Sequence, residues 1–184
     1  MMADRPLRAD AQRNRDKVLR AARDAFAASG FGVRVDEIAI RAGVGPGTVY
    51  RHFPTKEALF EAVITTRIAD LIADAQGRAD SDDPGAAFFG FLERIAEEAA
   101  AKRDLPDAIA VTSSLQSDLH AALDVLLHRA QQAGAVRAGI TTRDLIVLLK
   151  GLFNTMRDVS AGELDPAMRD RLLAVITDGL RQPR

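Results

Sequence analysis

The chain has 184 residues, of which 47% are hydrophobic and 28% charged, and it contains no cysteine. That length allows one larger domain or two small ones around a buried core. The lack of cysteine excludes disulfides and thiolate metal sites, and the longest apolar run, residues 145–153, is too short to cross a bilayer and contains Lys150. With no secretory signal at the N-terminus, we expect a cytoplasmic protein.

The near-zero net charge of −1 hides an asymmetry along the chain. Up to Lys56 there are eleven Lys and Arg against six Asp and Glu, a balance of +5, whereas the remainder has a balance of −6. A basic N-terminal module on an acidic body is typical of a DNA-binding protein with a separate assembly or sensing domain. The charge difference alone is also compatible with chance variation in the charges of solvent-exposed residues.

The first eight residues are predicted to form a loose tail, in which Arg5 and Arg8 are either disordered or reach a minor groove. A helix is predicted for residues 9–29, since Val18, Ala22 and Phe26 recur at helical spacing and Gly30 follows. Its early basic residues are expected near phosphates, which orient a protein on DNA without reading sequence.

Two short helices come next. The first covers residues 35–42, with apolar side chains spaced three and four apart, and Gly43 ends it because a residue just past a helix often needs positive φ. Gly45 is an acceptable N-cap, and Pro46 is favoured at the first position of the second helix. That helix is predicted to turn Val49 and Phe53 inward.

This arrangement predicts a helix-turn-helix, whose second helix enters the major groove of DNA. Its outward-facing side chains are Pro46, Thr48, Tyr50, Arg51 and His52. An ordinary surface helical hairpin would explain the apolar spacing, but not why so short a helix exposes threonine, tyrosine, arginine and histidine together.

The segment Gly47-Thr48-Val49-Tyr50-Arg51-His52-Phe53, followed by Lys56, Ala58 and Leu59, closely resembles the signature of TetR-family (tetracycline-repressor-like) transcriptional regulators. Phe26, Gly30-Phe31 and residues 35–39 also fit that signature, so the resemblance covers about the first sixty residues. It implies DNA contacts by Arg34, Pro46, Gly47, Thr48, Tyr50, Arg51, His52 and Lys56, with His52 and Lys56 on phosphates.

The sequence departs from the family signature at two positions. Arg34 stands where a Ser or Thr cap is common; it can supply charge to a phosphate but cannot cap the helix. Gly45 replaces the usual Ser, which costs only a few tenths of a kcal/mol, so we expect the fold to survive. Base reading then depends on Thr48, Tyr50 and Arg51. Arg51 suits guanine, and Thr48 suits a thymine methyl group or a base acceptor.

The rest of the chain predicts an all-α bundle, with no strand signal. A long connector helix over residues 56–79 precedes an acidic, Pro- and Gly-containing loop over residues 78–85. Five further helices are predicted over residues 86–102, 104–113, 115–134, 141–160 and 166–180. We divide the chain into a DNA-binding domain, 1–55, and a connector with a C-terminal effector-binding and dimerisation domain, 56–184.

In the resembled family the last two helices pair with their symmetry mates, and a symmetric operator requires a two-fold protein. We therefore expect a homodimer whose interface contains Leu145, Leu149, Leu152, Leu172, Leu173, Ile176 and Leu180.

The resemblance also implies a pocket for a small, mostly apolar effector among the helices that follow the connector. Its predicted walls are Phe60, Ile64, Phe88, Phe91, Leu92, Ile95, Ile109, Leu119, Leu123, Phe153 and Met156. The predicted polar groups are Thr112, Gln116, Asn154 and Arg157. Ordinary core packing is the competing explanation for each apolar position.

No catalytic constellation can be assembled from the sequence. The three histidines are His52, His120 and His128, and the last two lie roughly 12 Å apart along one helix, too far to share a metal. We therefore predict neither an enzyme nor a cofactor or metal. Two classes remain: a ligand-responsive homodimeric repressor on a palindromic operator, and an assembly or adaptor protein with a degenerate helix-turn-helix.

Overall fold

A computed structural model describes the backbone of residues 4–100, 113–158 and 166–183, and the side chains of these except 4–9, 99–100, 153, 155–158 and 166. Within those ranges the chain is all-α, as predicted, with a single isolated β-bridge. The elements are α1 (Asp4–Ser29), a 3₁₀ turn (Gly30–Gly32), α2 (Val35–Ala42), α3 (Pro46–His52), α4 (Lys56–Arg78), α5 (Pro84–Ala100), α6 (Ser113–Gln132), α7 (Thr142–Asp158) and α8 (Pro166–Leu180).

One boundary corrects the sequence prediction. Helix α1 begins at Asp4, so residues 4–8 are helical and not a loose tail. The first N–H groups of a helix have no partner inside it, and Pro6 is therefore tolerated in this first turn. Of the helix predicted over residues 104–113, all but Ser113 lies outside the described residues.

The described chain divides into two compact units within α4, after Arg67, whereas the sequence placed the domain boundary at residue 55. The first unit packs α1 against α2 and α3. Val18, Ala22 and Ala25 of α1 are completely buried, as are Ile38 and Ala39 of α2. These are the apolar positions that the helical spacing predicted to face inward.

Three phenylalanines form an aromatic cluster behind the helix-turn-helix. The ring of Phe60, at the start of α4, meets Phe26 edge-on at 4.9 Å and Phe31 edge-on at 5.4 Å between centroids. Edge-to-face pairs contribute about 0.5–1.5 kcal/mol beyond the burial of their area. The cluster therefore joins α1, the 3₁₀ turn and α4 within this unit.

The turn between α2 and α3 is a Schellman motif. Gly43 has φ of 67°, its N–H donates to Ile40 O at 3.1 Å, and Val44 N–H donates to Ala39 O at 3.0 Å. Gly45 is extended and serves as the N-cap of α3, with Pro46 at the first helical position. The predicted roles of Gly43, Gly45 and Pro46 are confirmed.

The second unit is a helical bundle around one core, contributed by α4 through α8. Its buried members are Leu71, Ala75, Phe88, Phe89, Phe91, Leu92, Leu123, Leu126, Leu127, Ala130, Val136, Leu145, Leu149 and Leu180. Long apolar side chains from several helices meet there, as expected of a bundle.

A pairing that the sequence did not predict joins the end of α8 to the loop after α6. Val136 and Arg181 form the isolated antiparallel bridge, Arg137 N–H donates to Leu180 O at 3.0 Å, and the Arg181 guanidinium lies 4.3 Å from the centroid of the Phe89 ring. Because these contacts join positions far apart in sequence, neither helical nor strand periodicity indicates them.

Helix α7 begins with a reciprocal cap. Thr141 Oγ1 accepts the N–H of Asp144 at 3.2 Å, and Asp144 Oδ2 accepts the N–H of Thr141 at 2.9 Å and its hydroxyl at 2.7 Å. The hydroxyl of Thr141, and then its N–H, hold the pKa of Asp144 below its ordinary value.

We expect Gly43→Ala to lower the free energy of unfolding by about 1–2 kcal/mol, because an L side chain pays this cost in the left-handed region. A Cβ at Gly43 would meet no atom within 4 Å, so the backbone angle alone is tested. Gly77→Ala, in α4 with equal space, is the control and should cause no loss. Equal losses in urea denaturation of the two variants would contradict the prediction.

We expect Asp144→Asn to lower the free energy of unfolding at neutral pH. The folded-state pKa of Asp144 is depressed, so its stabilisation is present above the unfolded value of about 3.9 and is lost as pH falls through the folded pKa. The difference from wild type should therefore disappear in acid, as checked by urea denaturation over a pH series. A loss that does not change with pH would contradict this reason. Asp118→Asn, also exposed, is the control.

Candidate nucleic-acid interface

Helix α3 has one buried and one solvent-facing side. Val49 is 1% exposed, and Phe53 just beyond the helix is 4% exposed, so these two side chains hold α3 against the first unit. Tyr50 is 46% exposed, Pro46, Gly47 and Arg51 are exposed, and Thr48 and His52 are half-buried. All the predicted reading residues of α3 are therefore accessible at the surface.

The N-terminus of α2 lacks a side-chain cap, as the sequence indicated. The Arg34 carbonyl accepts the N–H of Glu37 at 3.1 Å, but the exposed Arg34 side chain makes no cap hydrogen bond and lies 3.4 Å from Asp36 Oδ2. An exposed ion pair of this kind contributes little to stability, so both groups can exchange partners. Arg34 can therefore leave Asp36 for a phosphate.

Two cations beside α3 lie on aromatic rings. Lys56 Nζ is 4.5 Å from the centroid of Phe31, and the Arg15 guanidinium is 5.2 Å from the centroid of Phe53. Cation–π contacts at exposed sites contribute about 0.5–1 kcal/mol each. They restrict these charges to the neighbourhood of α3. Sequence reasoning could not distinguish Arg15 from the other basic residues of α1, because the ring that it contacts is distant in sequence.

Lys56 also begins a helix with a simple cap. Thr55 Oγ1 accepts the N–H of Ala58 at 3.1 Å, and because position 58 is an alanine there is no reciprocal side-chain bond. The remaining free N–H groups of the first turn favour an anion. Lys56 and this helix start therefore make a region suited to a phosphate.

The residues predicted for the effector pocket fall in different surroundings. Phe60 and Ile64 are buried in the first unit, and Phe88, Phe91, Leu92 and Leu123 are buried in the core of the second, against which Ile95 and Leu119 pack. Gln116 and Asn154 are exposed. Ile109 and Thr112 lie outside the described residues, as do the side chains of Phe153, Met156 and Arg157.

The residues predicted for the dimer interface are also divided. Leu145, Leu149, Leu173 and Leu180 are buried within the chain's own second unit, and Leu152 and Ile176 are half-buried. Leu145 is completely buried, and the other three are at most 8% exposed, so they offer little surface to a partner. Among the described side chains of α7 and α8, the large apolar ones that are exposed are Val147, Leu148, Leu172 and Val175.

Two other kinds of site receive no support from the described part of the chain. None of its helices has the length and apolar character that crossing a bilayer requires. Its His, Asp and Glu side chains form no group of three that is arranged to hold a metal ion.

An exposed, cation-flanked second helix after a tight glycine turn defines a helix-turn-helix DNA-binding protein. Comparisons with known proteins agree. Residues 18–63 match the family model of bacterial regulatory proteins of the tetR family, and residues 83–182 match that of the SbtR-like transcriptional regulator C-terminal domain.

Solved structures are similar over nearly the whole chain. A TetR regulatory protein from Mycobacterium vanbaalenii is 41% identical, with 96% of this chain and 99% of that chain covered and a TM-score of 0.71. The regulator SCO0520 from Streptomyces coelicolor is 31% identical, with 92% and 99% covered and a TM-score of 0.75. A structure described as the molecular basis for control of antibiotic production by bacterial hormones is 28% identical, with 91% and 97% covered and a TM-score of 0.68.

Among curated proteins, the transcriptional regulator UidR from Escherichia coli K12 is 39% identical over 59 residues, which is 32% of this chain and 30% of UidR. The chain thus matches less than a third of the length of this relative. The two family models and the near-complete structural matches show that the chain belongs to the TetR family. It is a DNA-binding transcriptional regulator, not an enzyme, and the adaptor alternative is not favoured.

Proposed function

We propose that the chain acts in the cytoplasm, where the DNA is, as a homodimeric, ligand-responsive repressor of a palindromic operator. The observation that supports this proposal is the accessibility of one side of α3, where Tyr50 and Arg51 are exposed and Thr48 is half-buried. Side chains of these types can contact base edges in a major groove. Val49 and Phe53 hold the opposite side of the helix in the protein.

In this proposal the residues of the interface divide into two roles. Thr48, Tyr50 and Arg51 read bases, with apolar contact from Pro46 and close backbone approach at Gly47. Arg34, His52 and Lys56 meet phosphates, which position α3 without reading sequence. Arg51 is suited to guanine N7 and O6, and Thr48 to a thymine methyl group.

The proposed dimer interface uses the exposed apolar residues of α7 and α8. Val147 is 63% exposed and Val175 is 69% exposed. Leu148 on α7 and Leu172 on α8 are further exposed apolar residues of the same two helices. A second copy would remove these side chains from water, at a gain of about 25 cal/mol per Å² of apolar surface buried. Family members bind operators as dimers, which also supports this arrangement.

The proposed effector binds in the second unit and is mostly apolar. A groove of about 450 Å³ lies there between α4 and α6, with Ile72, Ala75, Ala122 and Val125 among its apolar lining residues. This volume is within the range of small-molecule sites. The 28% identical structure described above concerns control by bacterial hormones, which supports a regulator that responds to an effector.

The proposed mechanism is steric repression with release by the effector. Helix α4 is continuous from Lys56 to Arg78, so in this mechanism an effector that moves the C-terminal part of α4 also moves Lys56, the proposed phosphate contact that follows α3. Release requires the effector to bind the non-repressing arrangement more tightly, because equal affinity for both shifts neither population.

Thr48→Ala and Tyr50→Ala are each expected to weaken binding to the selected operator by about 1–3 kcal/mol, roughly 5- to 150-fold, with less loss on unrelated duplex DNA. The operator comes from genomic DNA retained by the purified protein, and affinity is measured by fluorescence anisotropy. Ser29→Ala, an exposed hydroxyl of the same unit with no cap bond, is the control. Thermal unfolding confirms that each variant is folded. Wild type without any preference among duplexes would contradict the proposal.

Val147→Glu and Val175→Glu are each expected to shift the protein from dimer to monomer, because a carboxylate in an apolar interface loses hydration without gaining a partner. Sedimentation velocity measures the change. Ile40→Glu is the control, since Ile40 on α2 is also exposed, at 78%, and lies in the first unit, outside the proposed interface and the proposed effector groove. If all three variants remain dimeric, or if the control dissociates as well, the interface lies elsewhere.

A further inference from the structure

The groove of about 450 Å³ between α4 and α6 contains one charged lining group, and that group is negative. Besides the four apolar residues named above, the groove is lined by Gln76, Ala79, Asp118 and Ala121. All eight lining residues belong to the second unit. We call this surface the α4–α6 groove. Its lining provides one carboxylate, one amide and no cation.

Helical spacing explains why these residues line one groove. On α4, Ile72, Gln76 and Ala79 follow each other at intervals of four and three residues, so they share one face of the helix. On α6, Asp118 and Val125 are two turns apart on one face, which is about 10 Å along the helix. The remaining lining residues are alanines, whose small side chains leave space between the two helices.

The negative charge lies toward one end of the α4–α6 groove. Arg129, one turn after Val125 on α6, donates from Nη2 to Ser81 O at 3.2 Å, and Ser81 lies just beyond the C-terminal end of α4. The C-terminal ends of the two helices are therefore close together. Val125 thus lies toward that end of the groove, and Asp118 lies two turns away, toward the other end.

The carboxylate of Asp118 and the amide of Gln76 are both available to a ligand. Both residues are exposed at the rim of the groove, whereas Ala75 is 1% exposed and lies deepest. Within the residues that the structure describes, neither polar side chain makes a hydrogen bond or an ion pair. Arg78, the cation that follows Gln76 on α4, is engaged by Asp74 Oδ2 at 2.8 Å and does not line the groove.

The charge of the chain after Lys56 also favours a cationic ligand. That part has fourteen Lys and Arg against twenty Asp and Glu, a balance of −6. A negative field raises the local concentration of cations and lowers that of anions. At the carboxylate itself, an ammonium group gains a charge-assisted hydrogen bond that is stronger than the bond from a neutral hydroxyl. A ligand carboxylate would instead be repelled.

We propose that the effector is a small apolar molecule that carries an amine group. The protonated amine binds Asp118 at one end of the α4–α6 groove, Gln76 accepts a hydrogen bond from it, and the apolar part lies against Ala75 and Val125. This inference rests on the proposed function and names the chemical class of its effector. It excludes fatty acids and other apolar carboxylates as effectors.

The test uses three probes that share one compact apolar cage: adamantylamine, adamantanol and adamantanecarboxylate. Isothermal titration calorimetry measures the Kd of each for the full chain at neutral pH, where the amine is protonated as that of lysine is. We expect the amine to bind roughly 3- to 10-fold more tightly than the alcohol, as a partly exposed ion pair provides. The carboxylate should bind most weakly. If either other probe binds as tightly as the amine, or if no probe binds, the inference is overturned.

Two variants that remove the same charge show whether Asp118 is responsible. Asp118→Asn should abolish the advantage of the amine over the alcohol. Asp82→Asn, at an exposed position of the loop after α4 that does not line the groove, should keep it. Thermal unfolding verifies that both variants are folded. Equal losses would mean that overall charge attracts the amine, and no loss in Asp118→Asn would mean that this carboxylate does not contact it. Either result overturns the inference.

A second pair of variants tests the location. Ala121→Leu adds bulk to the α4–α6 groove from an exposed position and should weaken binding of all three probes several-fold. Ala73→Leu, at an exposed position of α4 outside the lining, should leave the three Kd values unchanged. Wild-type affinities in Ala121→Leu would place the bound amine elsewhere and overturn the inference.

Operator affinity, measured by fluorescence anisotropy with and without saturating probe, separates this inference from the proposed function. We expect adamantylamine to weaken operator binding. If the amine binds with the expected selectivity and operator affinity does not change, the proposed switch fails while the ligand class of the groove stands. If the alcohol or the carboxylate releases the operator as well as the amine does, the switch stands and the inference about the amine is overturned.

Discussion

The burial of Val49 and Phe53 against α1 and α2 is the interaction on which the rest of the DNA-binding unit depends. A helix of seven residues has too few hydrogen bonds to persist alone, so tertiary packing must hold it. Packing one side of so short a helix also determines the rotation of the helix about its axis. Because Val49 is buried, the opposite side of the helix, with Tyr50 and Arg51, faces solvent.

Aromatic rings serve two purposes around this helix. Phe60 meets Phe26 and Phe31 edge-on in the core, and Phe31 also lies against the ammonium of Lys56. The same ring thus stabilises the unit and restricts a cation beside the DNA-facing surface. This combination gives the basic N-terminal module a defined charge distribution, where a flexible basic tail would give only general attraction to DNA.

In the second unit, α7 and α8 have apolar side chains both in the core and at the surface. Helices α7 and α8 supply Leu145, Leu149 and Leu180 to the chain's own core and still leave Val147 and Val175 mostly exposed. In the dimer that we propose, these apolar faces serve two interfaces, one within the chain and one with a second copy. That division is consistent with a family whose members bind operators as dimers.

The all-α class, the helix-turn-helix and its turn residues Gly43, Gly45 and Pro46 could be predicted from the sequence, because helical periodicity and backbone preferences are local properties. Residues 47–53 also indicated the family. Which leucines of α7 and α8 are buried, and which rings lie against Lys56 and Arg15, became known only from the packing of the helices. Periodicity identifies an apolar face but not what covers it, and the meeting of side chains from different helices depends on how those helices pack.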